Sequence, residues 1–199
     1  MSILKVIKKG VYRILFIIVR NARVGFYRLL SNQSIEGPVL LMQATQVCGL
    51  GRVMAKNVVI GYFPSPFFFS TYSYLEVRSP LALISIGNNT KINNGFVAIC
   101  EETSIEIGEN CLIGTKVEIV DSDFHAISSH DRKKSDRSIC ASVRIGNDVF
   151  IGSNVKIMKG VHIGDGAVIA NGAIVLKDIP AQTLAAGVPA IVIKTLSNG

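Results

Sequence analysis

Two of the three histidines in this 199-residue chain, His125 and His130, fall in one polar stretch that runs from Asp121 to Arg137. An imidazole titrates close to neutral pH, so it can accept a proton and return it. An aspartate two residues earlier, Asp123, can hold one ring nitrogen while the other faces a substrate hydroxyl, which is the arrangement a general base needs. Asp121 is a second candidate for that orienting carboxylate, and His130 is a rival base. By itself Asp-x-His is a weak signal, because most polar loops with histidines are simply solvated. The third histidine, His162, reads as a surface residue.

The elements around this stretch repeat every six residues. Downstream the aliphatic positions are Ile145, Ile151, Ile157, Ile163, Ile169 and Val175, followed at the second position by Gly146, Gly152, Met158, Gly164, Ala170 and Leu176. The fifth position is also small or apolar: Val149, Val155, Val161, Ala167, Ala173 and Ile179. The same phase holds over Ile107, Ile113 and Ile119, and over Ile86 and Ile92, with slips of register between blocks. Neither a helix nor a flat strand has a period of six. One aliphatic residue per hexad buries only a thin stripe, so the repeats must stack to make a core. From Ile119 to Ile145 the spacing is not a multiple of six, so the chain leaves the coil over 121–142, and that loop carries both histidines.

The segment from Met42 to Arg78 is poorer in hexads, although Val47, Val53 and Val59 keep the spacing, and it reads as degenerate early coils. Tyr62-Phe-Pro-Ser-Pro-Phe-Phe-Phe69 interrupts it, and the two prolines prevent a regular central strand. Such an aromatic cluster is expected to pack under a loop or against another subunit. Charge is distributed unevenly. The formal net charge is +7, and residues 1–35 hold seven basic residues and no acid, whereas the remainder balances fourteen basic against fourteen acidic residues. A basic groove for nucleic acid is therefore not written on the body. The arm's apolar run, Ile14 to Val19, is far short of the roughly 20 residues of a membrane span. Two readings of residues 1–35 remain open: a helix lying on an anionic membrane surface, and a helix packed on the body or another subunit. Cys48, Cys100, Cys111 and Cys140 form no C-x-x-C pair and read as free thiols.

The form Ile-Gly-x-x-Val-x resembles the hexapeptide signature of the left-handed parallel β-helix, which implies an all-β fold of triangular 18-residue coils over 36–196 behind the helical arm 1–35. The tracts Ile145-Gly-Asn-Asp-Val-Phe-Ile-Gly-Ser-Asn-Val155 and Gly160-Val-His-Ile-Gly-Asp-Gly-Ala-Val-Ile-Ala-Asn-Gly-Ala-Ile-Val175, with Lys177-Asp-Ile-Pro180, Ala186-Gly-Val-Pro-Ala190 and the loop motif Asp121-Ser-Asp-Phe-His125, resemble the sugar O-acetyltransferases of that family, such as the maltose, galactoside and surface-polysaccharide enzymes. The resemblance covers roughly 84–196. It implies that His125 is the general base, oriented by Asp123, for attack of a sugar hydroxyl on acetyl-CoA, with no metal. It also implies that the cofactor lies along the last coils, near Gly152, Ser153, Ala170, Asn171, Gly172, Lys177, Pro180, Pro189 and Lys194. Asn93, Asn94 and Glu118 are candidates for acceptor hydrogen bonds.

This chain departs from its relatives in having Phe150 where Trp is frequent, Ile191 in place of an Arg, and Leu176 in place of a small hydroxyl residue. The family further implies a homotrimer with a sugar or polysaccharide acceptor, working in the cytoplasm where acetyl-CoA is available; on the first of the two readings of the arm, its composition would add peripheral contact with the inner face of the membrane. Nitrogen acetylation of an amino sugar and a non-catalytic β-helix scaffold are the competing functions.

Overall fold

The computed structural model describes residues 3–126, 128–132 and 139–196, with backbone alone for 3–9; positions 127 and 133–138 of the loop lie outside the described residues. From Ile35 onward the chain winds as a parallel β-helix with three faces. Face A is built from Ile35–Glu36, Arg52–Ala55, Leu83–Ile86, Ser104–Ile107, Val143–Ile145 and His162–Ile163. Face B stacks Val39–Leu41, Val58–Ile60, Lys91–Ile92, Leu112–Ile113, Phe150–Ile151 and Val168–Ile169, closed by a hairpin of Thr183–Gly187 with Ala190–Thr195. Face C holds Thr45–Gly49, Ser73–Val77, Val97–Cys100, Glu118–Val120, Lys156–Ile157 and Ile174–Val175.

The hexads explain the winding. Ile145, Ile151, Ile157, Ile163, Ile169 and Val175 all point inward and are buried, and so are the fifth-position residues from Val149 to Ile179. Equivalent residues pair across coils: Ile145 beside Ile107 and Ile163, Ile151 beside Ile113 and Ile169, Ile157 beside Ile119 and Val175. Each such side chain touches its own kind above and below, and full burial of one isoleucine contributes roughly 1.5–3 kcal/mol. The glycines at the second position are required by close approach of the coils. A Cβ on Gly152 would lie 2.7 Å from the backbone nitrogen of Asn171, and one on Gly114 would lie 2.6 Å from that of Ser153.

Register slips have local causes. Contacts between the last regular coils join residues 18 apart, as in Ser153 with Asn171. Between the coils of Thr90 and Cys111 the separation is 21 residues, because the corner Glu101-Glu102-Thr103 adds three. Beneath that corner the carboxylate of Asp121 accepts from Glu101 N at 2.6 Å, Thr103 N and Thr103 Oγ1 at 2.9 Å, Glu102 N at 3.2 Å and Cys100 Sγ at 3.3 Å. One early-coil expectation fails. Val47 and Val53 are buried, but Val59 faces outward, since Val58 and Ile60 take the inward positions after Asn57 turns the chain at φ 51°.

A helix, α1 (Ile3–Leu29), precedes the coils. Its 27 residues do not combine length with the apolarity needed to cross a membrane. One side of it packs on the body. The Phe16 ring lies 4.4 Å from Phe63 and 5.7 Å from Phe68, and Tyr27 stacks on Tyr72 at 4.4 Å. Arg20 and Arg23 donate to the carbonyls of Leu41 (3.1 Å) and Thr71 (2.8 Å). The aromatic insertion between Ile60 and Ser73 is thus the platform that receives this helix.

Candidate active site

The loop begins at the corner between faces C and A, directly after Val120, and rejoins the coil at Val143. Its two ends are tied to one another and to the next coil. Ala141 N donates to Asp121 O at 2.8 Å, and Gly160 N donates to Ala141 O at 3.1 Å. Lys159, at the following corner, donates to Ile139 O at 2.6 Å and pairs with the Asp123 carboxylate at 2.9 Å. Within this frame Ser122 Oγ accepts from Phe124 N at 2.8 Å, and Phe124 takes a left-handed conformation with φ 61°. A non-glycine residue held there must be over-determined by its surroundings. Part of that restraint is Arg78, whose guanidinium lies 4.8 Å from the Phe124 ring centre and is itself paired with Glu76 and Glu101 at 3.1 and 2.8 Å. The turn leaves His125 exposed to solvent.

Asp123 meets His125 through the backbone, its carbonyl accepting from His125 N at 2.7 Å, while its carboxylate is engaged by Lys159. Asp121 does not qualify as an orienting residue. It is fully buried and its carboxylate is spent on the 101–103 corner. His130 is exposed on the turn at 128–131, and His162 is exposed on face A. Lys159, Phe124 and Arg78 were not legible as site residues, since each acts through a contact between coils far apart in sequence.

The candidate cofactor residues divide between two corners. Gly152, Ser153, Ala170 and Asn171 stand together at the corner between faces B and C, with Asn171 Oδ1 accepting from Ser153 N at 2.7 Å. Gly172 beside them has φ +73° and open space where a Cβ would be. Gly152 is buried, so its size is set by the stacking of Asn171 and not by a groove. Lys177 is exposed after the end of face C, at the corner from which the loop leaves. Lys194 is exposed on the closing hairpin opposite Leu184, toward the end of face B remote from Asn171. Pro180 and Pro189 are exposed.

Of the candidate acceptor residues, Glu118 lies on face C between the two corners and is ion-paired with Lys156. Asn94 is a correction: it is buried, and its amide serves the insertion, donating to Tyr62 O and Pro66 O at 2.9 Å and accepting from Tyr62 N at 3.0 Å. It offers nothing to a ligand. A groove of about 320 Å³ on face B is lined by Tyr62, Lys91, Leu112, Gly114 and Phe150. It lies across the triangular section from the corner that carries the loop.

Residues 142–177 match the family profile described as bacterial transferase hexapeptide (six repeats), and residues 104–120 match the hexapeptide repeat of succinyl-transferase. The galactoside O-acetyltransferase of Escherichia coli (strain K12) is 38% identical over 135 residues, which are 65% of this chain and 66% of that enzyme. A hexapeptide-repeat acetyltransferase from Vibrio cholerae, solved with acetyl coenzyme A, is 25% identical, covers 91% of this chain and 88% of its own, and superposes with a TM-score of 0.56. The polysialic-acid-specific acetyltransferase NeuO is 26% identical over 85% of this chain and 80% of its own, with a TM-score of 0.57. The fold is the left-handed parallel β-helix with an N-terminal helix. The chain belongs to the hexapeptide-repeat family of bacterial transferases.

Proposed function

We propose that this chain is an acetyl-CoA-dependent O-acetyltransferase whose acceptor is a sugar hydroxyl of a bacterial surface polysaccharide or its precursor. The observation that carries the reading is His125 itself: an exposed imidazole at the head of a left-handed turn, clamped to a hexapeptide coil. The likeness to a galactoside O-acetyltransferase supports an oxygen acceptor. When bound, acetyl-CoA supplies the acetyl group already activated as a thioester. The residues present suit such a ligand in part, because the corner at Ser153, Asn171 and Gly172 is open, while the exposed cations Lys177 and Lys194 stand at the far ends of the two faces that meet there. His125 would take the proton of the acceptor hydroxyl as its oxygen attacks, and Glu118 would hydrogen-bond the sugar.

His125 and the Ser153–Asn171 corner stand at opposite ends of face C, and the face B groove lies on another side again. A second copy that brings one chain's loop to its neighbour's corner would unite them, which is why the reading includes a homotrimer. It places the enzyme in the cytoplasm, where acetyl-CoA is made, at the inner face of the membrane.

The test is release of free thiol from acetyl-CoA in the presence of galactosides, maltose, polysialic acid or amino sugars, followed by hydroxylamine treatment of the product. Acceptor-dependent release of a hydroxylamine-labile ester is the expected result. A stable amide would make the protein an N-acetyltransferase, and no release with any acceptor would leave a binding scaffold.

A further inference from the structure

Helix α1 uses only one side to hold the body. Phe16, Arg20, Arg23 and Tyr27, spaced three or four residues apart, are its half-buried contacts. The opposite side is apolar and uncovered, with Ile14 60% and Ile18 58% exposed, alongside Val11, Leu15, Ile17 and Phe26. At about 100° per residue, the exposed apolar positions among residues 11–29 run from Ile14 round to Val19 over roughly 140° of the helix, bordered on one flank by Asn21 and Arg28. That surface is too large to be left to water, and two candidates could cover it.

A second copy of the helix is the poorer match. Pairing of two helices covers only the narrow seam of a and d positions, less than this arc. It also draws specificity from opposite charges on the flanks, and residues 1–35 contain seven basic residues and no acid. An anionic bilayer meets both conditions. It is a broad plane that accepts an apolar side to a depth of roughly 5–10 Å, and its headgroups complement cations on the flanks. Arg20 and Arg23 are committed to carbonyls of the body, but Arg13 and Arg28 are exposed.

We infer that α1 seats this protein on an anionic phospholipid surface, lying in the interface with Ile14 and Ile18 inward and the β-helix held above it through Phe16, Arg20, Arg23 and Tyr27. The inference deepens the localisation within the proposed function and depends on that proposal only for which side of the membrane is met.

The experiment is flotation of the purified full chain with vesicles of phosphatidylglycerol and phosphatidylcholine, against vesicles of phosphatidylcholine alone, at low and high salt. Flotation with the anionic vesicles at low salt, lost at high salt, is expected. Ile14→Ser combined with Ile18→Ser should weaken it more than tenfold, and Arg13→Gln and Arg28→Gln about fivefold each. Sedimentation of each variant, and thiol release from acetyl-CoA with a soluble sugar, should match the unaltered protein. The inference is overturned if the full chain fails to float at low salt or floats equally on both vesicles. It is also overturned if the Ile14 and Ile18 changes alter the oligomeric state and leave flotation intact, which would assign the surface to a second copy. Loss of acetyl transfer in a chain that still floats would count against the proposed function and not against the membrane contact.

Discussion

His125 owes its position to four side chains that touch its turn or its neighbours: Ser122, Arg78, Asp123 and Lys159. Replacing His125 by alanine leaves that frame in place and removes only the proton acceptor. Turnover should therefore fall roughly 100-fold or more with acetyl-CoA affinity unchanged, and His130→Ala should do much less, as steady-state kinetics of the two variants will show. The opposite ranking would give the role to His130.

The free thiols make a second test at this scale. Burial and the neighbouring Asp121 carboxylate raise the Cys100 thiol well above its ordinary value, and burial raises Cys111. Both should stay protonated and unreactive to a thiol reagent at pH 8 in the native protein, and react on unfolding. Because the unfolded chain releases these protons first, at about pH 8.5, stability to urea should decline as pH rises beyond that point. Rapid labelling of Cys100 without unfolding would contradict the burial described.

The element that matters most is the excursion between Val120 and Val143, and Lys159 is its fastening. One ammonium joins the start of the loop, at Asp123, to its end, at Ile139, from a corner of the following coil. Lys159→Met should free both ends. Limited proteolysis within 121–142 should quicken and turnover should drop by up to about 100-fold, the loss that a 1 Å misplacement of a catalytic group can cause. Lys159→Arg, which keeps the charge, should restore most of the activity. If the two variants have equal activity and equal proteolysis, the ion pair does not position the loop. The insertion at 61–72 is the contrasting element: Gln43 and Asn94 hold it from beneath with backbone-directed hydrogen bonds, and its role is to carry α1.

For the whole molecule the governing fact is that a triangular coil separates its corners. Within one chain the described loop residues at one corner and the small residues at another stand apart, whereas rotation about an axis of symmetry brings unlike patches of identical chains into contact. Sedimentation at micromolar concentration should therefore give the mass of three chains of 21.4 kDa each. A monomer with full activity would show that one chain closes the site unaided.

The period of six by itself determined the coils, because inward burial at Ile145, Ile151, Ile157, Ile163 and Ile169 follows from spacing alone once repeats must stack. It also determined where the chain leaves the coil, since an interruption of a strict period needs no contacts to be seen. What it could not determine was contact between coils. Asp121 and Asp123 are two residues apart in nearly identical surroundings of sequence. Yet one is buried under a corner begun twenty residues earlier, and the other is paired with a lysine thirty-six residues later. Asn94 and Gly152 likewise took their roles from chain segments stacked above and below them. The fate of the arm was decided the same way. Its charge and apolar run are local and legible, but which side would be covered depended on Phe63, Phe68 and Tyr72 meeting it across the first coils, and only the tertiary structure supplies that encounter.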